Sequence, residues 1–280
     1  MLVKDALAFL MYHVGRVINH GQYNVLSLYF HNPSLLAFSR IVNWLKGHGY
    51  EFIDMSELVQ HVRGESELKH KSVFISLDDG WAGNMSLLPF VEREKIPVTI
   101  FLTIDPILTG NFWWEYAYAK GGQSLVDAFK QLSEDDFNKQ LIELKKAFHL
   151  SRSAITLDEL NVLKSSRYIS FGSHTMTHPI MTNTTYETLA KEISESKIVL
   201  EKLLNKPVQS FSYPNGSYSQ RELQEVSKIY DCSFSTIQGY PMHGSSEYEI
   251  PRIALTDDYW PNLAKIVGIW HVIRRLFKSK

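Results

Sequence analysis

Two histidines and two adjacent aspartates are the residues of this 280-residue chain best suited to chemistry. His174 and His178 stand four positions apart, so both imidazoles can face one ion if the backbone turns helically between them. Asp78-Asp79-Gly80 follows an apolar run, and a carboxylate at the end of a strand is a natural third ligand. Three protein ligands leave one position on a metal open to water or substrate. The pattern therefore predicts a metal-dependent hydrolase.

Each motif also has a plainer structural interpretation. Asp-Asp-Gly is common turn chemistry, and a histidine beside threonines can simply sit at the start of a helix. Adjacent strand residues point to opposite faces, so Asp78 and Asp79 can share one site only where the strand is ending. Gly80 permits that departure from extended geometry. The two motifs together favour a site over a turn.

Composition limits the class of protein. Hydrophobic residues make up 44% of the chain and charged residues 21%, which is ordinary for a soluble globular protein. The formal net charge of −1 argues against a nucleic-acid partner. The single cysteine, Cys232, rules out an internal disulfide framework. No signal peptide or membrane-spanning run is recognisable, so we predict a cytoplasmic location.

Apolar runs alternate with helical patterns along the chain. The predicted strands are Leu7–Tyr12, Glu51–Ile53, Ser72–Leu77, Val98–Thr103, Tyr168–Gly172, Ser210–Tyr213, Ser233–Thr236 and Glu249–Ala254. The predicted helices are Pro33–Gly47, Met85–Glu94, Leu125–Phe148, Leu157–Leu163, Thr184–Leu204 and Gln220–Ile229. Continuous apolar strands between helices are typical of a parallel sheet covered on both faces. The fold class predicted is α/β, an irregular (β/α)7-type barrel.

One domain is predicted, with two additions. Residues 111–155 look like a helical insertion between two barrel units. Residues 261–278 form an amphipathic helical pattern that carries several basic residues. Such a helix can contact the inner face of a membrane peripherally, or it can pack on its own domain.

Three segments together resemble the signature of a known family. They are Asp78-Asp79-Gly80, the run from His174 to His178, and Ser212-Tyr213-Pro214-Asn215-Gly216. The chain resembles the polysaccharide deacetylases, which are the NodB-homology enzymes of carbohydrate esterase family 4. The resemblance extends from about Phe9 to Leu255. It implies a barrel enzyme that uses a divalent metal, usually zinc, to remove acyl groups from sugars; cobalt, nickel and manganese also suit such ligands.

The resemblance assigns a role to each motif residue. Asp79, His174 and His178 would be the metal ligands, and Asp78 would be the general base that takes a proton from the attacking water. The backbone N–H of Tyr213 would stabilise the oxyanion.

The sequence departs from the common family pattern at two positions. The arginine that usually precedes the proline-containing loop is replaced by Phe211-Ser212. Arg252 resembles an arginine of a subgroup that lacks the usual one, and it would orient Asp78; a surface salt bridge is the alternative. The late histidine that serves as catalytic acid is also not obvious. His13 in Met11-Tyr12-His13 resembles that of the exopolysaccharide deacetylases, whose motif order is circularly permuted, and His243 is the fallback.

Aromatic residues near these motifs are candidates for substrate contact. Trp81 and Trp113 could stack on a sugar, as could Trp114 and Tyr116, although each could equally be core. The loop residues Tyr213 and Pro214 would complete the substrate-binding surface.

The sequence thus predicts an enzyme that removes an N-acetyl group from a sugar in a glycan or glycoconjugate. Another acyl substrate, such as an O-acetyl or N-formyl sugar, and a non-catalytic carbohydrate-binding relative remain open. The sequence leaves the oligomeric state undetermined.

Overall fold

The computed structural model of the chain describes residues 3–18 and 24–268. Its centre is a parallel sheet in the order β7-β6-β5-β4-β3-β1-β8, with β2 paired beside β3. The strands are β1 Val25–Phe30, β2 Glu51–Phe52, β3 Ser72–Leu77, β4 Val98–Leu102, β5 Ile169–Ser173, β6 Ser210–Ser212, β7 Cys232–Phe234 and β8 Ile253–Ala254. Every residue of β1, β3 and β4 is buried, as expected for strands covered on both faces.

The sheet curls until its two edges approach each other. Ile250 forms a parallel bridge with Phe234 of β7, and three residues later β8 pairs with β1 through Ile253 and Leu28. The short segment from Ile250 to Ala254 therefore contacts β7 at one edge of the sheet and β1 near the other. This curled parallel sheet with its surrounding helices confirms the predicted (β/α) barrel-type fold.

Helices cover the outside of the sheet. They are α1 Val3–Ile18, α2 Leu35–Gly47, α3 Met55–Arg63, α4 Leu88–Glu94, α5 Ile104–Thr109, α6 Trp113–Phe129, α7 Glu134–Ala147, α8 Leu157–Leu163, α9 Tyr186–Leu204, α10 Gln220–Ser227 and α11 Tyr259–Ile266. A 3₁₀ segment, Ala82–Leu87, precedes α4. A capping box of Thr156 and Glu159 begins α8, and the side chain of Thr185 caps α9.

The predicted first strand, Leu7–Tyr12, is wrong because this segment belongs to helix α1. Ala8 and Tyr12 are buried and four positions apart, while Leu7 and Leu10 are more than half exposed. That burial follows a helical period, not alternation. The true first strand is β1, an apolar run that sequence reasoning missed.

The predicted insertion, residues 111–155, lies between α5 and α8 and contains two helices where one, Leu125–Phe148, was predicted. Helix α6 begins at Trp113 and bends at Gly121 and Gly122, and α7 follows after a short turn. Both helices pack around their own apolar cluster, which includes Trp113 and Phe129.

At the C-terminal end, α11 covers only the beginning of the predicted amphipathic helix 261–278, and residues 269–280 lie outside the described part. Among the described residues, no helix combines the length and apolar character needed to cross a bilayer.

Candidate active site

The carboxyl ends of the parallel strands meet around one cavity of about 570 Å³. This is the edge at which barrel enzymes carry their catalytic groups. Its lining includes the four residues of the two leading motifs and one histidine that the sequence analysis did not select, namely Asp78, Asp79, His174, His178 and His31.

Both aspartates reach the cavity because the chain turns sharply after β3. The N–H of Asp78 still donates to the carbonyl of Phe30 in β1. Asp79 then adopts a left-handed conformation with φ 77°, and Gly80 follows with φ 93°. The strand therefore ends between the two carboxylates, as the sequence predicted, although Asp79 as well as the glycine leaves extended geometry.

The two histidines lie on a loop after β5, not on a helical turn. Thr175 and His178 both have positive φ, 71° and 59°. The buried carboxylate of Glu192 holds this loop, because it accepts hydrogen bonds from the N–H groups of Met176 and Thr177 at 2.8 and 2.9 Å. The two imidazoles lie together as predicted. The left-handed residues of the loop and its hydrogen bonds to Glu192 bring them together, and a helical turn does not.

Asp79, His174 and His178 fit the requirements of a metal site. Their ligand atoms lie within 4.8 Å of one another, and all three residues are buried. Oδ1 of Asp79 is 3.4 Å from Nε2 of His174 and 3.5 Å from Nε2 of His178. Two ligands about 2.0–2.1 Å from a tetrahedral ion would lie roughly 3.3–3.4 Å apart.

The protonation states of the three residues agree with that fit. Oδ1 of Asp79 is buried and accepts no hydrogen bond from the described residues. Nδ1 of His174 is 2.7 Å from the carbonyl of Ser212 and donates to it, so Nε2 is the ring nitrogen that faces Asp79. Burial and the neighbouring His174 lower the pKa of His178 to about 3, which keeps that imidazole neutral. Burial alone would raise the pKa of Asp79, but the histidines around it hold the pKa well below its ordinary value.

Arg252 lies where the resemblance placed it, beside Asp78. Its two terminal nitrogens donate to Oδ1 and Oδ2 of Asp78, each at 2.8 Å. The guanidinium is fully buried, is stacked 4.1 Å from the ring of Tyr29, and also bonds Ser76 and Ser212. Burial by itself would raise the pKa of Asp78, but Arg252 and His174 lower it, so this carboxylate stays ionised.

Two tryptophans donate hydrogen bonds to the candidate metal ligands. Nε1 of Trp81 donates to Oδ2 of Asp79 at 2.8 Å, which leaves Oδ1 open. Nε1 of Trp113 donates to the carbonyl of His178 at 2.9 Å. Trp113 is only 4% exposed, so the structure makes it a packing residue at the border of the cavity and not the sugar platform predicted for it. Trp81 and Trp114 keep exposed surface in the cavity, whereas Tyr116 is not part of its lining.

The N–H of Tyr213, which the resemblance assigned to the oxyanion, is engaged in the sheet. This N–H donates to the carbonyl of Phe234 at 3.1 Å, within the pairing of β6 and β7.

Asn215, two residues after Tyr213, also lines the cavity and has φ 54°. Its N–H donates no hydrogen bond within the described residues. Pro214 is buried in the turn and does not line the cavity, although Tyr213 does.

Both predicted acid histidines lie away from the cavity. His13 is exposed on α1, where it contacts Phe9, and His243 is on a distant loop beside His61. The cavity instead contains His31, the residue directly after β1. The signal for it was the apolar run before it, which is followed by a histidine just as β3 is followed by Asp78.

Comparison with known proteins gives consistent results. A family model described as polysaccharide deacetylase matches residues 65–230. The poly-beta-1,6-N-acetyl-D-glucosamine N-deacetylase of Staphylococcus aureus is 24% identical over 237 residues, which cover 84% of this chain and 71% of that protein. IcaB from Ammonifex degensii has a similar structure, with a TM-score of 0.66 at 17% identity over 88% of this chain and 97% of that one. The deacetylase PplD of Streptococcus pyogenes gives a TM-score of 0.60 at 17% identity over 84% and 94%.

Proposed function

Because this chain belongs to the polysaccharide deacetylase family, we propose that it is a metal-dependent N-deacetylase of an N-acetylglucosamine polymer. The observation that carries the proposal is the pair of neighbouring carboxylates with different surroundings. Asp79 presents an open oxygen to the imidazoles of His174 and His178, and Asp78 beside it is held ionised by Arg252.

Asp79, His174 and His178 would hold the divalent ion. When bound, such an ion lowers the pKa of water and polarises the acetamide carbonyl. Zinc suits a site of one carboxylate and two imidazoles, and cobalt, nickel and manganese accept the same ligands.

Asp78 is the proposed general base. Both of its oxygens face Arg252, whose position fixes the carboxylate at the edge of the cavity. The carboxylate accepts a proton from the attacking water, and Arg252 is a positioning residue that holds it in place.

His31 is the proposed general acid, in place of His13. The nitrogen of an acetamide leaves only when it is protonated, and His31 is the histidine of the cavity that is not a proposed metal ligand. Asn215 lines the same cavity, and its N–H is the proposed donor to the oxyanion, in place of the N–H of Tyr213.

The substrate class is inferred from the relatives. The Staphylococcus aureus protein is named for poly-beta-1,6-N-acetyl-D-glucosamine, and it aligns with 84% of this chain. A cavity bordered by the aromatic side chains of Trp81 and Trp114 suits the same kind of polymer.

The test is acetate release from poly-β-1,6-N-acetylglucosamine by the purified protein, before and after treatment with a chelator and after zinc is restored. We expect release that stops with chelation and returns with metal. An O-acetylated polymer, assayed for acetate, and an N-formylated one, assayed for formate, serve as controls for the acyl group. Release that is unaffected by chelation, or release from the controls alone, would contradict the proposal.

A further inference from the structure

His31, the proposed general acid, is an exposed residue in the connection between β1 and α2. A general acid acts only within hydrogen-bond reach of the leaving atom, so a histidine in a connection needs contacts that hold it in place. Among the described residues, the carbonyl of His31 accepts one hydrogen bond, from Nδ2 of Asn84 at 2.9 Å. The two residues are 53 positions apart in the sequence.

Asn84 is an unusual choice of residue for its surroundings. It is only 2% exposed, and its Oδ1 is buried without a hydrogen-bond partner among the described residues. A buried amide oxygen that stays unpaired lowers stability, and an apolar side chain of similar shape would avoid that loss. The bond that Nδ2 donates to His31 is the contact for which an amide is needed at this position.

Asn84 belongs to the 3₁₀ segment that follows Asp78-Asp79-Gly80. Its N–H donates to the carbonyl of Trp81 at 3.0 Å, and the indole of Trp81 donates to Asp79. A Cβ added at Gly83 would collide with the side chain of Asn32, so this segment and the connection after β1 are in direct contact. One short segment therefore contacts a proposed metal ligand and the proposed acid.

The ring of His31 has a different neighbour from its backbone. It meets the ring of Tyr29 edge-on, with centroids 5.5 Å apart, and Tyr29 in turn lies against the guanidinium of Arg252. The ring contact limits how the imidazole is oriented, whereas the hydrogen bond from Asn84 holds the backbone that carries it.

We propose that Asn84 is a positioning residue for the general acid. Its amide holds the backbone of His31 so that the imidazole stands within reach of the leaving nitrogen. The inference rests on the proposed function and deepens it: a buried side chain that does not line the catalytic cavity sets the rate of proton delivery.

The first arm of the test measures acetate release from poly-β-1,6-N-acetylglucosamine by the zinc-loaded full chain. Asn84→Leu has a similar shape but no donor, and it should lower kcat by about 10-fold to 100-fold with KM and metal content unchanged. Asn84→Ala should give the same loss. Asn262→Leu is the matched control, because Asn262 is also buried and its amide donates to the carbonyl of Thr256 on the far side of α11 from any proposed catalytic group. It should lower stability and leave kcat unchanged.

A double variant distinguishes support of His31 from a general structural effect. In the His31→Gln protein, Asn84→Leu should lower kcat no further, because the side chain that it positions is gone. Losses that multiply in the double variant, metal loss from Asn84→Leu, or an unchanged kcat in both Asn84 variants would overturn the proposal.

The second arm needs no turnover. Ring-proton NMR of the full chain, with the His31 resonance identified by its absence in His31→Gln, should show that resonance shifted in Asn84→Leu and unchanged in Asn262→Leu. An unshifted resonance would overturn the role of Asn84 whatever the activity. Full activity in His31→Gln would instead overturn the assignment of the acid, and with it the catalytic consequence of the contact.

Discussion

Asp78 and Asp79 show how two identical neighbouring side chains acquire different chemistry from their partners. Both oxygens of Asp78 accept from Arg252, whereas Asp79 uses one oxygen to bind Trp81 and leaves the other between two imidazoles. Each carboxylate is almost completely buried, so its nearest charged groups decide its state. The proposed division into a general base and a metal ligand rests on these contacts.

Arg252 should matter for folding as well as for catalysis. Arg252→Met leaves Asp78 buried without its counter-ion, which should lower the free energy of unfolding by about 3–5 kcal/mol at neutral pH. Chemical denaturation measures this loss. The double variant Arg252→Met with Asp78→Leu should recover part of it, and no recovery would argue against an uncompensated charge as the cause.

The loss should also depend on pH. The folded-state pKa of Asp78 is depressed in the unmodified protein, so its contribution to stability is present above the unfolded pKa and is lost as pH falls through the folded pKa. Without Arg252, burial raises the pKa of this carboxyl. The stability difference between the two proteins should therefore shrink as the pH is lowered, and unfolding curves at several pH values check this; a constant difference would contradict it.

The choice between His31 and His13 can be decided by kinetics. His31→Gln should lower kcat/KM by about 10²–10⁴-fold, because the leaving amine loses its proton donor. His13→Gln is the matched control and should leave kcat/KM near that of the unmodified protein, since His13 is exposed on α1 away from the cavity. The reverse order would restore His13 as the acid.

At the scale of elements, the sequence predicted correctly the strands and helices whose apolar pattern and ends were both clearly marked. The run Ser72–Leu77 became β3 with the predicted ends, and the capping box at Thr156 set the start of α8. The strand predicted over residues 7–12 was wrong because a short apolar run suits a strand or a buried helix face equally well. The same error led to His13 as the candidate general acid, because the run that really forms the first strand is followed directly by His31.

The bend in α6 gives a test of backbone conformation alone. An added Cβ at Gly122 would meet no atom within 4 Å, so Gly122→Ala should destabilise the protein only through its positive φ, by about 1–3 kcal/mol. Gly47, at the end of α2, has equally open surroundings without positive φ, and Gly47→Ala should stabilise by about 0.4–1 kcal/mol. Denaturation of both variants gives the comparison, and equal effects would show that the bend is not strained.

At the scale of the molecule, the site depends on contacts that only the closed sheet creates. Arg252 and Asp78 are 174 positions apart and meet because the segment near β8 joins both edges of the sheet. The sequence suggested that arginine only through a family resemblance. The sequence also could not show that the N–H of Tyr213 donates within the β6–β7 pairing, because that hydrogen bond depends on which strands lie side by side.

A bound ion should stabilise the whole fold, because its proposed ligands follow β3 and β5, which are distant in the sequence. At an ion concentration about 100 times Kd, the gain in free energy of unfolding should be about 2.7 kcal/mol. Thermal unfolding before and after chelation measures it. Asp79→Ala should abolish the response to metal, and a response that persists in that variant would place the ion elsewhere.

The division of labour between the two aspartates is tested most directly by measuring metal content and acetate release together in Asp78→Asn. The account predicts one bound metal ion per chain, as in the unmodified protein, with turnover abolished. Asp79→Ala, measured in parallel, should lose both. Full activity in Asp78→Asn, or loss of metal from it, would contradict the assignment of base and ligand.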